Sequence, residues 1–443
     1  MLFWTYILSI VYSFVATIRI PTICLWVLVV LALGNSLMKT DQGWGMYHYY
    51  IGSKYFAEVG YFDLYECTVA DATPRRDLRT YDYRIDSPDC QSVFSYPRYI
   101  NFRRDIASSG FYEQALIDKG YNGTPVRTAI FGGLANLRFI TLDNAHIIDI
   151  IALVSALFFC VYHIGWRKSA YIALFVLMYN GTTHRLWGHY AQWVRLSLAL
   201  AGVVLLEQKK TDTHETVGAL LIGISTTLAI FPAFLMLRYL SAKNIILFFV
   251  AVMTFYSIGM ANGRQFDGYI EFVDNMSIHS SYIRSEGCCN IGLAHTITST
   301  QYPDDSYRQC FSQWSDECAL SYDRSQNLAL WLLMLPLILL TPLGAMYGLL
   351  TLSTYYYLIL AVIAIWYNER WIRLLILTNA MLSILTIFMP PELFGFHNWI
   401  YFIYFLALGV HQFHVNQTVE TFVSLAKQRL YSKTSERYVS HRV

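Results

Sequence analysis

The sequence predicts an all-α protein that crosses a membrane many times, and its composition, its apolar windows and the placement of its charges support this prediction. Of the 443 residues, 55% are hydrophobic and 14% are charged, and the net charge is +2. Soluble domains carry about 25% charged residues. The composition therefore excludes a disordered chain, a collagen-like repeat and an ordinary cytosolic enzyme. The balanced charge also argues against nucleic acid as a partner.

Long windows without Asp, Glu, Lys or Arg supply the candidate spans. A helix needs about 20 mostly apolar residues to cross the hydrocarbon core of a bilayer. Such windows occupy residues 20–38, 150–166, 169–184, 216–237, 244–263, 325–368, 374–391 and 393–419. A further apolar stretch, interrupted by Arg195, covers 186–206. Because the window 325–368 is long enough to cross twice, the whole set predicts about 10–12 transmembrane or re-entrant helices.

Lysine and arginine in the short loops predict the orientation of these spans. The basic residues cluster at 167–168, 209–210, 238–243 and 370–373 and in the tail from 427 onward. All of them can face the cytoplasm only if two windows enter the membrane and return. We therefore expect re-entrant hairpins over 216–241, with a break near Phe231-Pro232, and over 341–367. Irregular backbone at membrane depth is tolerated where it is buried in protein or lines a wet cavity.

This orientation divides the chain into six segments. They are an N-terminal interfacial helix and first span (1–38), an extracytoplasmic loop with amphipathic helices (39–145), transmembrane helices that include a re-entrant hairpin (146–262), a Cys-containing extracytoplasmic loop (263–326), further transmembrane helices (327–415) and a basic cytoplasmic tail (416–443). The two long loops would lie on the same side of the membrane, opposite the basic clusters.

The cysteines support this assignment of sides. Cys24 and Cys160 lie in apolar spans, whereas the others lie in the two long loops, at Cys67, Cys90, Cys288, Cys289, Cys310 and Cys318. An even number of cysteines confined to one face indicates disulfides in an oxidising compartment. We expect Cys67 to pair with Cys90 within the first loop. The alternative is six reduced thiols in small buried contacts.

One carboxylate stands at the outer membrane boundary. Asp41 follows the first firm span, and residues 44–59 beyond it carry aromatic side chains at helical spacing, including His48 and Tyr55. This spacing predicts an amphipathic helix that lies in the interface, where Tyr and Trp are favoured. Asp41 can cap this helix, or it can meet a lipid headgroup at the boundary.

Basic side chains that could bind phosphate follow in two places. Arg76 and Arg79 belong to a basic cluster in the first outer loop, and Arg185 and His189 lie near the outer mouth of the predicted bundle. Arg195 lies one turn into an apolar stretch, where a charge is costly and should face protein or a cavity. Guanidinium groups bind phosphate in a bidentate way. The alternatives are a solvated face with internal Arg–Asp pairs for the cluster, and snorkelling to the headgroups for Arg195.

Three further side chains are candidates for substrate contact. His279, in the second outer loop, could contact a phosphate, although a lone histidine is more often structural. Tyr355 and Tyr356, at the tip of the second predicted hairpin, could stack on a sugar or an isoprenoid chain, or belong to the interfacial aromatic belt. No His-Glu-x-x-His zinc motif and no Gly-x-Ser-x-Gly elbow is present. We assign no metal site and no required cofactor, and leave the involvement of a divalent metal open.

The order of these parts resembles the GT-C class of polytopic glycosyltransferases, in which an acidic residue follows the first span and a long outer loop precedes many further helices. The run from Asp41 through Tyr47-His-Tyr-Tyr-Ile-Gly-Ser-Lys-Tyr-Phe to Gly60-Tyr-Phe-Asp-Leu-Tyr65 resembles the opening of the polyprenol-phosphate-mannose-dependent mannosyltransferase branch. Ile230-Phe231-Pro232 resembles the short-helix break of that branch, although Ala229 stands where a basic residue is usual. The run Glu271-Phe272…His279…Asn290-Ile-Gly-Leu is similar to the second outer loop of bacterial relatives.

The resemblance implies an inverting enzyme that passes a sugar from a polyprenyl-phosphate donor to a glycan or lipid acceptor, with Asp41 as general base. We expect the donor phosphate to be bound by Arg76, Arg79, Arg185, His189 and Arg195. We expect the substrate to contact Tyr47, His48, His279, Tyr355 and Tyr356. The protein would be a multi-pass protein of the inner (cytoplasmic) membrane, surrounded by membrane lipid, with its active site on the extracytoplasmic face. The oligomeric state stays open.

Two other function classes compete with this prediction. A transporter or flippase for a lipid or glycan would need a polar path across the bundle and usually internal symmetry, and no repeat is visible. A catalytically inactive scaffold of an envelope-assembly complex would use the Cys-containing loops as a docking surface. A continuous polar tunnel would favour the first alternative, and a closed, dry surrounding of Asp41 would favour the second.

Overall fold

The computed structural model describes residues 21–37, 44–69, 90–109, 121–178, 190–208, 210–283, 290–291, 341–349, 352–353, 359–388 and 399–412. Over these ranges the chain is mostly helical, which confirms the helical part of the predicted fold class. One short antiparallel pairing joins Asn290–Ile291 (β1) to Leu352–Ser353 (β2), with Asn290 opposite Ser353.

The helices of the first part of the chain are α1 (Thr22–Leu37), α2 (Trp44–Met46), a π-helix (Tyr47–Ile51), α3 (Gly52–Lys54), α4 (Phe56–Val59), α5 (Asp63–Val69), α6 (Tyr96–Ser109) and α7 (Pro125–Ala135). The later helices are α8 (Ile147–Ile164), α9 (Trp166–Met178), α10 (Gln192–Gln208), α11 (Asp212–Leu228), a 3-10 helix (Phe231–Arg238), α12 (Ala242–Gly259), a second 3-10 helix (Met260–Asn262), α13 (Asp267–Ile283), α14 (Pro342–Leu349), α15 (Ile363–Trp366), α16 (Glu369–Phe388) and α17 (Trp399–Gln412). Helix α11 ends just before Phe231-Pro232, where proline removes a backbone donor.

Two of the described helices are long and apolar enough to cross a membrane. They are α8 and the continuous segment Ala242–Asn262 that includes α12. Only 22% and 17% of their apolar windows are buried inside the protein, whereas a core helix of a soluble protein is mostly buried. The exposed apolar side chains of α8 recur at helical spacing, at Ile147, Ile151, Val154, Phe158 and Tyr162. A lipid-facing stripe has this pattern.

Helix α10 is the centre of the bundle and packs against α8 and α11, and α11 packs in turn against α12. Small residues allow the close approach of α10 and α11. A Cβ atom at Gly218 would lie 3.0 Å from the carbonyl oxygen of Gly202 and 2.8 Å from Cγ of Leu206. Small residues at such crossings let helix backbones come together. The interface therefore fixes the position of α10, which carries Gln192 and Arg195 at its first turn.

A second core, rich in tyrosine, is formed mainly by the helical segments between Met46 and Ala145. Its fully buried side chains include Tyr47, Tyr50, Tyr55, Tyr61 and Tyr121. Each hydroxyl of this kind needs a partner when it leaves water. Tyr50 donates to the carbonyl of Ile140 at 3.0 Å, and Tyr55 donates to Asp105 at 2.8 Å. The partners explain how a segment with this many phenol groups can be buried.

The structure corrects the expectation of an amphipathic interfacial helix over residues 44–59. The segment is helical, but it is divided into short helices, and residues 45–53 are buried on every side. A π-helical turn widens it at Tyr47–Ile51, and such turns are frequent at functional sites. The spacing of the aromatic residues predicts one apolar face. Tyrosines whose hydroxyls have hydrogen-bond partners allow the segment to be buried on all of its faces.

The predicted disulfide between Cys67 and Cys90 is confirmed. The bond closes a loop of 23 residues and joins the end of α5 to the chain that leads into α6. Cys24 and Cys160, the cysteines predicted to lie in apolar spans, are both free. The disulfide therefore ties two outer segments into the tyrosine-rich core.

Candidate functional site

Tyr121 lies at the centre of the tyrosine-rich core. Its side chain is fully buried, and its hydroxyl contacts the hydroxyls of Ser53 at 2.8 Å and Thr128 at 2.9 Å. Its carbonyl accepts a hydrogen bond from the side-chain amide of Asn275 at 2.6 Å. Only glycine fits beside the ring at Gly52, since a Cβ atom there would lie 2.4 Å from Cδ2 of Tyr121. Tyr121 thus joins α3, α7 and α13. Burial raises its pKa, so the phenol stays protonated as a donor.

His48 is held by the residue that follows this tyrosine. Its Nε2 lies 2.8 Å from Oδ1 of Asn122 and 3.4 Å from the backbone nitrogen of Asn122. The imidazole ring also packs edge-on against Tyr49, with ring centres 4.5 Å apart. His48 is therefore a buried, oriented side chain of the described core.

Thr124 starts α7 and positions the first turn of that helix. Its hydroxyl oxygen accepts a hydrogen bond from the backbone nitrogen of Arg127, and Pro125 stands at the first helical position. Threonine before proline is a favourable helix start. The same hydroxyl donates to the carbonyl of Thr227 at the end of α11, at 2.7 Å. Helix α7 is therefore anchored to α11 at the turn that presents Arg127.

Arg127 lies inside the protein with 2% of its surface exposed. Its guanidinium carbon lies 3.6 Å from the centre of the Tyr49 ring, and its Nη2 donates to the carbonyl of Tyr190. A desolvated cation over an aromatic face contributes about 2 kcal/mol. Within the described ranges, Nε of Arg127 has no hydrogen-bond partner although it is buried. One donor of this guanidinium is therefore available to another group.

Asp149 caps the first turn of α10 from the neighbouring helix α8. Oδ1 of its carboxylate accepts a hydrogen bond from the backbone nitrogen of Trp193 at 2.7 Å. The positive φ of Ala191, 61°, turns the chain just before α10 begins. A carboxylate at a helix N-terminus is stabilised by the orphan donors there. Asp149 is completely buried, and Arg127 lies near enough to act on it electrostatically.

Arg195 lies one turn further along α10 and is also buried, with 4% of its surface exposed. Its guanidinium carbon is 5.3 Å from the centre of the Phe231 ring. Its backbone carbonyl accepts from the Ser225 hydroxyl at 2.8 Å. Burial inside the bundle does not fit snorkelling toward the headgroups, which was the alternative for this residue. Arg195 therefore faces protein, as a charge in an apolar stretch must.

The described buried groups that carry charge are Arg127, Arg195 and Asp149. Among the described residues, two buried guanidinium groups and one buried carboxylate therefore belong to this part of the fold. Guanidinium groups bind phosphate in a bidentate way, so this end of the helices is suited to an anionic group.

Two carboxyl groups, those of Glu271 and Asp63, lie close to Arg264 beside the tyrosine-rich core. Glu271 on α13 forms an ion pair with Arg264 at 3.1 Å, and the chain passes close by at Gly60, which has a φ of 57°. Burial raises the pKa of Glu271, and Arg264 opposes this effect. Burial also raises the pKa of Asp63, again against the influence of Arg264. These carboxyls therefore hold protons more firmly than carboxyls in water.

Four of the sequence-predicted site residues lie in the described part of the chain, and the side chains of three of them are described. Tyr47 and His48 are close together in the π-helix, and the Tyr47 hydroxyl contacts the Thr68 hydroxyl at 2.6 Å, next to the disulfide. Arg195 lies in α10. His279 lies in α13, but its side chain is outside the description. The remaining predicted residues lie outside the described ranges: Asp41, Arg76, Arg79, Arg185, His189, Tyr355 and Tyr356.

Sequence reasoning did not single out Arg127, Asp149 or Gln192. The run Asn122-Gly-Thr-Pro125 does indicate a turn followed by a helix start, so a search of the first turn would have found Arg127. Asp149 stands immediately before the apolar window 150–166, and its position there predicts no particular role. Among the described residues, no group of three or more His, Cys, Asp and Glu side chains could hold a metal ion.

Comparison of the chain with family models, with curated proteins and with solved structures finds no match.

Proposed function

We propose that this protein is an integral membrane glycosyltransferase. It moves a sugar from a polyprenyl-phosphate donor to a glycan or lipid acceptor on the extracytoplasmic side of the inner membrane. The observation that supports this proposal best is the pair of buried arginines, Arg127 and Arg195, at one end of the helices that pack around α10. Buried guanidinium groups suit a phosphate that is attached to a lipid chain, because they bind phosphate oxygens in a bidentate way.

The proposed reaction is a single displacement. Asp41 takes the proton of the acceptor hydroxyl, whose oxygen bonds to the anomeric carbon of the donor sugar. The bond between that carbon and the phosphate oxygen breaks, and polyprenyl phosphate leaves with the electron pair. The configuration inverts. A positioned base contributes about 10²–10⁴-fold to such a rate.

Charge grows on the phosphate as it leaves, because a diester becomes a monoester. Fixed guanidinium groups stabilise this charge without having to reorganise. We assign this role to Arg195, and we propose that Arg76, Arg79, Arg185 and His189 contribute to it. Substrate contacts are proposed for Tyr47, His48, His279, Tyr355 and Tyr356.

Transfer assays with purified protein in lipid nanodiscs test the proposal. Short-chain polyprenyl-phosphate sugars that carry a radiolabel serve as donors, and a crude extract of envelope glycolipids serves as acceptor. Wild-type protein should transfer label to the extract, and Asp41→Asn should reduce the initial rate by at least about 100-fold. Asp274→Asn is the matched control, since Asp274 is an exposed acid of the outer helix α13.

Three results would contradict the proposal in whole or in part. Absence of transfer from every donor, with a protein that is folded by its thermal midpoint, would remove the glycosyltransferase function. Full activity of Asp41→Asn would rule out Asp41 as the general base and would leave the glycosyltransferase function itself in place. Transport of an unmodified glycolipid across sealed vesicles would favour a flippase instead.

A further inference from the structure

Three buried side chains near the start of α10 have polar atoms that no described residue binds. They are Nε of Arg127, Oδ2 of Asp149 and both amide atoms of Gln192. The exposed fractions of these residues are 2%, 0% and 6%. Buried polar atoms are satisfied in the great majority of cases, because an unsatisfied one lowers the stability of the fold. Several in one place indicate a site for a polar group from outside the chain.

These atoms belong to one location. Arg127 donates to the carbonyl of Tyr190, two residues before Gln192. Asp149 binds the backbone nitrogen of Trp193, the residue after Gln192, and Arg127 acts on Asp149 electrostatically. Residues from α7, α8 and α10 are thus brought together at the first turn of α10.

The chemistry of these atoms selects the ligand. Arginine Nε only donates, the carboxylate only accepts, and the glutamine amide does both. A hydroxyl group has one hydrogen to donate and lone pairs to accept with. It can therefore donate to Asp149 and accept from Arg127 or Gln192 at once. A phosphate oxygen would face the charge of Asp149 and could give it no hydrogen bond.

We propose that Arg127, Asp149 and Gln192 form a subsite that binds the hydroxyl groups of a sugar. This proposal rests on the proposed function, because it names the part of the site that holds the carbohydrate. Arg195, one turn away on α10, is the residue proposed above for the phosphate. The subsite and the phosphate contacts then lie side by side on the same helix.

Gln192 separates this role from a structural one. Asp149 caps α10, so its replacement can unfold the region whatever else it binds. The side chain of Gln192 makes no hydrogen bond with any described residue. If Gln192 serves a ligand, replacing its amide with an apolar group of similar size leaves the free protein as stable as before or makes it more stable.

The test measures binding of methyl glycosides of mannose, glucose and galactose by saturation-transfer NMR, with the protein in nanodiscs. The background is Asp41→Asn, so that no transfer takes place. We expect saturable binding of at least one glycoside, weakened about tenfold or more by Gln192→Leu and by Gln192→Met, with an unchanged or higher thermal midpoint. Gln208→Leu is the control, because the Gln208 amide at the other end of α10 is bound to His163. It should leave glycoside binding unchanged.

Three results would overturn this inference. The first is that no glycoside binds saturably, and the second is that the Gln192 variants bind the glycoside as tightly as the background protein. The third is that inorganic phosphate displaces the glycoside at a concentration similar to that of the glycoside, and that Gln192→Leu weakens the binding of both equally. Because the assay contains no transfer step, its failure does not depend on the role of Asp41. If a short-chain polyprenyl-phosphate sugar displaces the glycoside, the subsite holds the sugar of the donor. If both bind at the same time, the subsite holds the sugar of the acceptor.

Discussion

The guanidinium carbon of Arg127 lies 3.6 Å from the centre of the Tyr49 ring. This contact joins the π-helix to α7, and the Arg127 hydrogen bond to the Tyr190 carbonyl extends the link to the start of α10. One buried side chain therefore connects the tyrosine-rich core with the helix that carries Arg195.

Replacing Arg127 with lysine should destabilise the protein by about 2 kcal/mol. A lysine ammonium cannot lie flat on the Tyr49 ring and cannot keep the hydrogen bond to Tyr190 in the same geometry. The thermal midpoint in nanodiscs measures the effect. Arg104→Lys is the control, because Arg104 is an exposed arginine of α6 and its replacement should change stability by less than about 0.5 kcal/mol. Equal thermal midpoints for Arg127→Lys and Arg104→Lys would show that the stacking of Arg127 on Tyr49 does not stabilise the protein.

The crossing of α10 and α11 should not tolerate a larger residue at Gly218. Gly218→Ala places a Cβ atom 2.8 Å from Cγ of Leu206, and overpacking of this kind costs about 1–3 kcal/mol. Gly133→Ala in α7 provides the opposite case, since nothing lies within 4 Å of a Cβ atom there. That change should stabilise the helix by up to about 1 kcal/mol. The two thermal midpoints should move in opposite directions, and a shift of both in the same direction would count against the packing described.

Glu271 should make stability depend on pH in a direction opposite to that of an ordinary ion-paired acid. Burial raises its pKa above 4.5, and Asp63 and Asp267 add to this effect, while Arg264 opposes it. The folded state therefore holds the proton more firmly than the unfolded state. Its contribution to stability is complete below pH 4.5 and is lost as the pH rises through the raised pKa.

Glu271→Gln removes this dependence. The stability of the variant relative to wild type should increase as the pH rises from about 4.5 to 7. Denaturant titrations at a series of pH values measure the difference. Asp274→Gln, an exposed change on the same helix, serves as the reference. A difference that shrinks with rising pH would show that the ion pair with Arg264 dominates.

The sequence predicts the helical class and the disulfide because both depend on local or compositional signals. Apolar windows of sufficient length predict helices, and the two cysteines of the first loop restrict the choice of partner. The position of Arg195 in an apolar stretch also predicts that it faces protein, and its side chain is buried in the structure.

The cluster of Arg127, Asp149 and Gln192 could not be predicted in this way. Its members come from α7, α8 and α10, and they meet only because Asp149 binds the turn that begins α10. A window search treats Asp149 as a boundary, since it counts charges along the chain and not across helices. The burial of residues 45–53 on all sides likewise depends on partners such as Ser53 and Thr128 around Tyr121, which no periodicity shows.

The covalent bond between Cys67 and Cys90 has a consequence for biogenesis. The hydroxyl of Thr68, the residue after Cys67, is hydrogen-bonded to the hydroxyl of Tyr47. Arg103 of α6 donates to the backbone carbonyls of Cys67 and Thr68. The surroundings of Tyr47 are thus complete only after a thiol oxidation, which cytosolic glutathione and thioredoxin prevent. The finished surroundings of Tyr47 therefore require conditions in which these two thiols are oxidised.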